Sequence, residues 1–515
     1  AQPTPADIGA AFKQSQQAWQ GRSPMSLLDL PPMQDPQLLA VMQILTKLVP
    51  SAHIAAPTLL PLLIFKQVEL SIQYGNCPTS IFSYADYGLI LCGIIGDTIT
   101  GYEFGKLSLA LLETLQVTPF KSRAYFIVNA FIRHWQEPLQ YSIPLLLEGY
   151  RSGLETGDWE CVALNLLAAS HYQYWAGKEL QGLAEDMLIY RQVIDQVKQE
   201  ATLKSHEVYL QAVLNLLGQA EVPYRLQGHV FNTDQSLALL QSANDRVSLC
   251  HVCLNQAFLC YLFEQNELAT QHATHLEEYA EGVCGFFQMA IWIFYDALIQ
   301  IRCYPEAPPE QQTLILERIA AHQAKLQGWA MHAPFNHQHR WQLVAAEQHR
   351  VLNQRSDAIE YYDLAIAGAK ANGFIQDEAL ANELAAKFYL DWGKTKIAQD
   401  YLTHAYYGYV HWGAKAKVQH LEHRYPQLLA PILQQQQMAL SATETVFAPL
   451  TLATSQAPTT QTSSMGSTSI SAAFDLATVL KASQTLSSEI QLDKLLVTLL
   501  HTVLENAGAD KGALL

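Results

Sequence analysis

An alanine pattern that occurs twice along the chain places the strongest constraint on its fold. Its two intervals, 12 and then 7 residues, occur at Ala346, Ala358 and Ala365, and again 40 residues later at Ala386, Ala398 and Ala405. Small residues at these intervals allow the two helices of a hairpin, and the next hairpin, to approach closely. This is the logic of tetratricopeptide arrays, although those repeats usually have ~34 residues. An irregular helical bundle is the alternative interpretation.

The chain from about residue 78 to residue 426 favours paired helices throughout. Apolar residues recur at helical spacing in segments such as 101–115 and 122–135, and the alternation typical of strands is essentially absent. The residues from Gly413 onward predict a final helix that covers the open end of the stack. Asp35 and Pro36 predict a helix start, with an N-cap followed by proline at the first helical position.

Composition excludes several classes of function. The chain has 31 basic against 47 acidic residues and no basic run, which argues against a nucleic-acid surface and against a polybasic membrane anchor. Its most apolar run, 87–97, is too short to span a bilayer. The N-terminus lacks the charged and then apolar pattern of a signal peptide. We therefore expect a cytoplasmic protein with no membrane insertion and no nucleic-acid partner.

Shifts in composition predict four regions in this chain of 515 residues. Residues 1–77 form an N-terminal lead-in with the first helices, and 78–426 form the helical array, with a hinge predicted over 217–240. Residues 427–472 are rich in Ser, Thr, Gln and Ala and predict a flexible linker, because such a segment cannot bury enough apolar surface to offset its chain entropy. Residues 473–515 begin a further domain.

This last region predicts two amphipathic helices, a Gly-Ala turn and the first residues of a strand. A strand without a partner leaves unpaired backbone groups, so we expect the truncated start of an α+β domain. The apolar positions within 474–507 also predict a seam that pairs with a copy of itself to form a homodimer. The alternative is a helix face that packs on the missing sheet.

The sequence contains three superficial resemblances to chemical sites. Residues 101–108 resemble a phosphate-binding loop, but the glycine spacing is one residue short and Leu107 occupies the hydroxyl position. Cys250 and Cys253 form a CxxC without a second pair, which favours buried thiols. His420 and His423 lie three residues apart without converging ligands. We therefore predict no catalytic, cofactor-binding or metal-binding residue.

Polar aromatic residues are abundant, with 24 tyrosines and 9 tryptophans. They predict a concave face that holds a partner or a ligand, whereas the structural alternative is that they fill gaps between helices. The residues predicted for this face are Tyr361, Tyr362, Tyr389, Trp392, Tyr406 and Trp412.

Several long stretches also resemble a known family. They are QYGNCPTSIFSYADYGLILCGIIGD (73–97), GYEFGKLSLALLE (101–113), RHWQEPL (133–139), GLETGDWE (153–160) and the residues 372–426. In this order they resemble the helical middle region of large bacterial hybrid kinases, the serine/threonine-protein kinase, predicted ATPase and sensor histidine kinases abundant in cyanobacteria. The residues from Asp475 onward resemble the start of the GAF domain of that family.

The resemblance implies the fold and function of this region. It implies an all-α, tetratricopeptide-like superhelix, followed by a linker and the start of a GAF domain, in a parent protein kinase. The chain is then a regulatory region that couples an upstream kinase and STAND-type ATPase switch to a downstream GAF and histidine-kinase output of a two-component system, through protein or intramolecular partners. A small-molecule-sensing helical arm is the alternative. The family's catalytic and nucleotide-binding motifs match no position of this chain.

Overall fold

The computed structural model describes residues 3–56, 58–279 and 285–434. Within these ranges the secondary structure is helical and contains no strand, which confirms the all-α prediction for this part of the chain. Its α-helices are α1 (Pro5–Trp19), α2 (Pro36–Ala55), α3 (Leu60–Tyr74), α4 (Ser80–Ile90), α5 (Thr98–Leu115), α6 (Lys121–Phe131), α7 (Ser142–Thr156), α8 (Trp159–Trp175), α9 (Leu180–Gln196), α10 (Glu200–Leu216), α11 (Thr233–Ser242), α12 (Arg246–Leu262), α13 (Asn266–Tyr279), α14 (Gln288–Cys303), α15 (Pro309–His332), α16 (Pro334–Val351), α17 (Arg355–Ala371), α18 (Ile375–Asp391), α19 (Thr395–Trp412) and α20 (Lys415–Arg424).

Aspartate caps begin several of these helices. The Asp35 carboxylate accepts a hydrogen bond of 2.8 Å from the Gln37 backbone amide, and Pro36 is the first residue of α2, as predicted. Asp158 and Asp245 cap α8 and α12 in the same way. These carboxylates satisfy amide groups that have no partner inside the helix.

From α8 to α19 the helices alternate between an inner and an outer layer. In α8, α12 and α18, 14 of 17, 15 of 17 and 12 of 17 residues are buried. In α9 and α17 only 5 of 17 and 4 of 17 are buried. The outer helices carry one apolar stripe, whereas the inner helices are buried on most sides and enclose polar residues such as Asp377 and Glu383 of α18.

The predicted alanine pattern lies at buried positions of two hairpins of this array. The two occurrences fall on the hairpins α16–α17 and α18–α19, and all six alanines are at most 1% exposed. A Cβ atom added to Gly408 of α19 would lie 2.8 Å from the Cβ of Ala379 on α18. Small side chains therefore set the distance between paired helices, as the sequence analysis expected.

The glycines of the loop-like motif 101–108 have a similar packing role. The motif lies inside α5, where Gly101 faces Gly88 of α4: a Cβ atom on Gly101 would lie 2.8 Å from the Gly88 carbonyl oxygen. Gly105 faces Ile132 across a similarly short distance. The glycine spacing in this motif thus reflects a close helix crossing.

Parts of the array that are distant in sequence also contact each other. The Gln376 side-chain amide at the start of α18 donates to the Trp175 carbonyl at the end of α8 (2.8 Å), and that of Asn336 on α16 donates to the His134 carbonyl (2.8 Å). These four residues define what we call the closure seam. Segments about 200 residues apart in sequence therefore meet at this seam.

Other predictions concern residues that the structure does not describe. The described residues up to Arg424 belong to one compact unit. The predicted linker spans 427–472, and its residues from 435 onward, the GAF start and the dimer seam at 474–507 lie outside the described residues. Among the helices that are described, none is long and apolar enough to cross a lipid bilayer.

The predicted hinge at 217–240 contains the connection between α10 and α11. The Gln211 side-chain carbonyl accepts from the Val230 and Phe231 amides at 3.3 and 3.2 Å, and the Asn215 amide donates to the Pro223 carbonyl at 3.1 Å. Two buried amides of α10 thus hold the connection at both of its ends. Whether the segment is a hinge stays a prediction.

Candidate functional site: the interior of the helical array

The six residues of the predicted aromatic face lie in several environments. Tyr362, Tyr389, Tyr406 and Trp412 are buried, whereas Tyr361 and Trp392 are half-buried. Four of the six thus lie inside the protein. Their role in holding a partner or ligand stays a prediction.

Three of these side chains converge on one phenylalanine. The rings of Tyr362, Tyr389 and Trp392 lie 5.6, 5.0 and 5.9 Å from that of Phe388 on α18. The other members lie apart from this group: Tyr361 stacks on His349 at 5.3 Å, and Tyr406 and Trp412 contact different partners.

A cluster of histidine and tyrosine rings occupies the middle of the array. The ring centres of His171 and Tyr209 are 3.8 Å apart, and His251 lies 4.7 Å from His171 and 5.3 Å from Tyr209. Among the described residues, neither ring nitrogen of His251 has a hydrogen-bonding partner. Burial lowers the pKa of His251 to about 3, because a charged imidazole loses its hydration there. The cluster is therefore neutral at physiological pH.

Buried carboxylates on the inner helices pair with nearby arginine and histidine side chains. Asp377 of α18 lies 2.9 Å from His339 Nε2 and 2.7 Å from Arg340 Nη2 of α16. Burial acts to raise the pKa of Asp377, but the Arg340 and His339 contacts outweigh it and hold the pKa below its usual value. Similar pairs join Asp296 with Arg318 and Glu347 with Arg350. The array thus holds charges in its interior as matched pairs.

The most enclosed pair joins α18 to α20. Lys417 Nζ donates to Glu383 Oε1 at 2.8 Å, and the two side chains are 0% and 1% exposed. Lys387 Nζ lies 2.7 Å from Glu383 and 2.6 Å from Glu264, and Lys417 also donates to the Leu262 carbonyl at 2.6 Å. We refer to Lys417, Lys387, Glu383 and Glu264 as the Lys417 clasp.

The pKa values of the clasp reflect burial and pairing. Burial lowers the pKa of Lys417 to about 8, although Glu383 opposes the change. Burial acts to raise the pKa of Glu383, but Lys387 and Lys417 more than offset this and hold it well below its usual range. No motif in the sequence predicted the clasp. The only signal was a lysine at an inward-facing position of the final helix.

A surface cleft of about 360 Å³ lies beside the closure seam. Its lining combines turn glycines with two carboxylates and one histidine, and comprises Gly177, Glu179, Gly373, Ile375, Glu378 and His411. The Glu179 carboxylate caps α9 by accepting from the Gln181 and Gly182 amides, each at 2.8 Å. Helices from distant parts of the chain therefore form this cleft together.

The cysteines and histidines form no larger donor set in the described chain. Cys250 and Cys253 lie buried on α12 as free thiols. Within the described ranges, no group of three or more His, Cys, Asp or Glu side chains is placed to hold a metal ion.

Part of the chain is similar in sequence to a known signalling protein. No protein-family model matches the chain. Over 122 residues, 23% of its length, the chain is 26% identical to hybrid signal transduction histidine kinase G of Dictyostelium discoideum. The matched part covers 4% of that relative's length. The chain is therefore related in part to a signal-transduction kinase of much greater length.

Proposed function

We propose that this chain is a cytoplasmic, non-catalytic regulatory region of a multidomain signalling kinase. In this proposal, residues 78–426 form a tetratricopeptide-like array that couples an upstream kinase and ATPase switch to a downstream GAF and histidine-kinase output. The similarity to a segment of a hybrid histidine kinase carries the proposal. The serine/threonine kinase, the ATPase and the GAF domain come from the sequence resemblance.

The contacts at the closure seam support a coupling role. Hydrogen bonds from Gln376 to Trp175 and from Asn336 to His134 join helices about 200 residues apart. Interfaces of this kind have a small number of discrete arrangements, because packed interiors resist continuous deformation. A domain that acts on the first helices of the array can then change the position of the last ones.

The test measures kinase output in the natural full-length protein that contains this chain. Phosphate incorporation from radiolabelled ATP is compared between wild type and Gln376→Ala, which removes the hydrogen bond to Trp175. We expect Gln376→Ala to change incorporation several-fold. Gln192→Ala, at an exposed position of α9, is the matched control and is expected to leave incorporation unchanged.

Two results would contradict the proposal. One is equal output from wild type and Gln376→Ala, with helical content shown to be unchanged by circular dichroism. The other is phosphate transfer by the chain 1–515 alone, which would indicate a catalytic site within it.

The cleft beside the closure seam favours a second candidate, the small-molecule-sensing arm. Its volume of about 360 Å³ is near the lower end for small-ligand sites, and its carboxylates favour a cationic ligand. Thermal unfolding of the chain with small amines tests this: a rise in Tm that Glu378→Gln abolishes would support it. No rise at millimolar concentration would reject it for this class of ligand.

A further inference from the structure

The helix α20 buries a smaller share of its residues than the inner helices of the array do. Only three of its ten residues, Ala416, Lys417 and Leu421, are buried, compared with 15 of 17 in α12. Its sequence, KAKVQHLEHR, is strongly polar. A segment with few buried apolar contacts has low local stability, so polar contacts must supply much of its attachment.

Those polar contacts reach three other elements. Lys417 donates to Glu383 of α18 and to the carbonyl of Leu262, the last residue of α12. The Tyr406 hydroxyl of α19 donates to Glu422 of α20 at 2.8 Å. Near the end of α20, Arg424 lies 3.6 Å from Glu264. Loss of the Lys417 contacts therefore releases α20 from two helices at once.

The charges that face Lys417 balance. The groups around it are Glu383 and Lys387 of α18, Glu264 beyond the end of α12, the Tyr409 ring of α19 at 5.6 Å and His420 of α20, whose Nδ1 is 3.5 Å away. Two ammonium groups thus meet two carboxylates. Such a buried arrangement specifies geometry but stabilises weakly, since each charge loses its hydration.

The docked helix binds the Lys417 proton less tightly than a free helix does. Burial lowers the pKa of Lys417 to about 8 from the ordinary value of 10.5. Between these two values the undocked state holds more protons, so docking becomes stronger as pH rises and is weakest below pH 8. At neutral pH, docking of α20 therefore buries a charged Lys417, and the lost hydration of this ammonium group weakens the docking.

We propose that α20 is a polar latch that undocks as a unit, with Lys417 leaving Glu383 and Leu262 while α12 and α18 remain folded. This inference rests on the proposed function, because the predicted linker at 427–472 follows α20 in the sequence. Undocking is then the step by which the state of the array reaches the residues beyond it.

Hydrogen–deuterium exchange of the full chain 1–515 tests the latch. At pH 7 we expect amides of 415–424 to exchange at least ~10-fold faster than those of α12 and α18, as local opening requires. Lys417→Met is expected to accelerate exchange in 415–424 by a further ~10-fold or more, because it removes one member of a buried pair. Lys415→Met, at an exposed position on the same helix, should leave exchange unchanged.

A second measurement needs no variant. Between pH 7.5 and 9.5, after correction for intrinsic exchange rates, protection of 415–424 relative to α18 should rise by ~10-fold. A relative protection that falls or stays constant would overturn the latch. So would a single exchange event that includes α12, α18 and α20, or an effect of Lys417→Met spread over the whole array.

The latch and the proposed function fail separately. If exchange shows local undocking but Lys417→Met leaves kinase output of the full-length protein unchanged, the latch stands and the coupling role is rejected. If output changes while α20 opens only together with the rest of the array, the coupling role stands and the latch is rejected.

Discussion

At the scale of single residues, the most unusual feature is the number of ionisable groups held inside the array. His134 and His251 are fully buried, and burial lowers the pKa of each to about 3. Neither residue could be identified as buried from the sequence, because histidine occurs on both surfaces and interiors. The neighbours that remove water from these rings come from helices far apart in the chain.

These histidines predict loss of stability in acid. In the unfolded chain each of these histidines has an ordinary pKa near 6.5. In the folded chain the pKa of each is about 3, so that each takes up its proton only in much stronger acid. The free energy of unfolding therefore falls as pH drops below 6.5, by about 1.4 kcal/mol per pH unit for each such histidine. Urea denaturation at pH 7 and pH 5 measures this slope.

The variant His251→Leu should reduce the pH dependence of the free energy of unfolding by the contribution of one histidine. At pH 7 we expect a change within about 1 kcal/mol, because no hydrogen bond of the ring is lost. The free energy of unfolding of the variant minus that of wild type should be about 2 kcal/mol higher at pH 5 than at pH 7. His404→Leu, at an exposed site, is the control. An unchanged slope in His251→Leu would show that His251 becomes protonated in the folded state.

At the scale of elements, the sequence predicted the positions of small residues between paired helices. It did not predict which helices form the inner layer and which form the outer layer. The alanine intervals identified the hairpins α16–α17 and α18–α19, because a helix pair at close distance tolerates only small side chains at its contacts. Which helix of each hairpin faces inward depends on what covers its second face. That covering comes from other hairpins, so no pattern local to a single helix specifies it.

Two glycine substitutions test the helix contacts with opposite expected signs. Gly408→Ala places a Cβ atom 2.8 Å from that of Ala379 and should lower stability by about 1–3 kcal/mol, as overpacking does. Gly328→Ala, within α15, meets no atom within 4 Å and should raise stability by about 0.5–1 kcal/mol through helix propensity. Thermal and urea unfolding measure both. If Gly408→Ala also stabilises, the α18–α19 contact is looser than described.

At the scale of the whole molecule, the closure seam joins parts of the array that lie about 200 residues apart in sequence. The concave aromatic face predicted from the sequence requires the inner helices to leave a groove. Trp412 lies 6.5 Å from Tyr174 inside the protein, and Gln376 donates a hydrogen bond to the Trp175 carbonyl. The role of the six aromatic residues in holding a partner stays a prediction. Curvature accumulates over many hairpins, so a small rotation in each decides whether the array stays open or meets itself.

The predicted dimer seam at 474–507 is also tested at this scale. Light scattering on chains 1–434 and 1–515 at several concentrations should show dimers only for the longer chain, because its apolar seam has a partner in a second copy. A monomer in both cases would favour the alternative, in which these helices pack on the rest of their own domain. A dimer in both would place the contact on the helical array.

The sequence by itself determined the helical fold of the described chain, the start of α2 at Pro36 and the small residues between paired helices. Each depends on interactions within a few turns or between adjacent helices, which spacing along the chain records. The tertiary structure alone decided the closure seam, the neutral histidine cluster and the Lys417 clasp. These depend on the dielectric and the partners that distant helices supply: the same lysine on an open helix is a solvated charge, and only closure of the array converts it into a buried one.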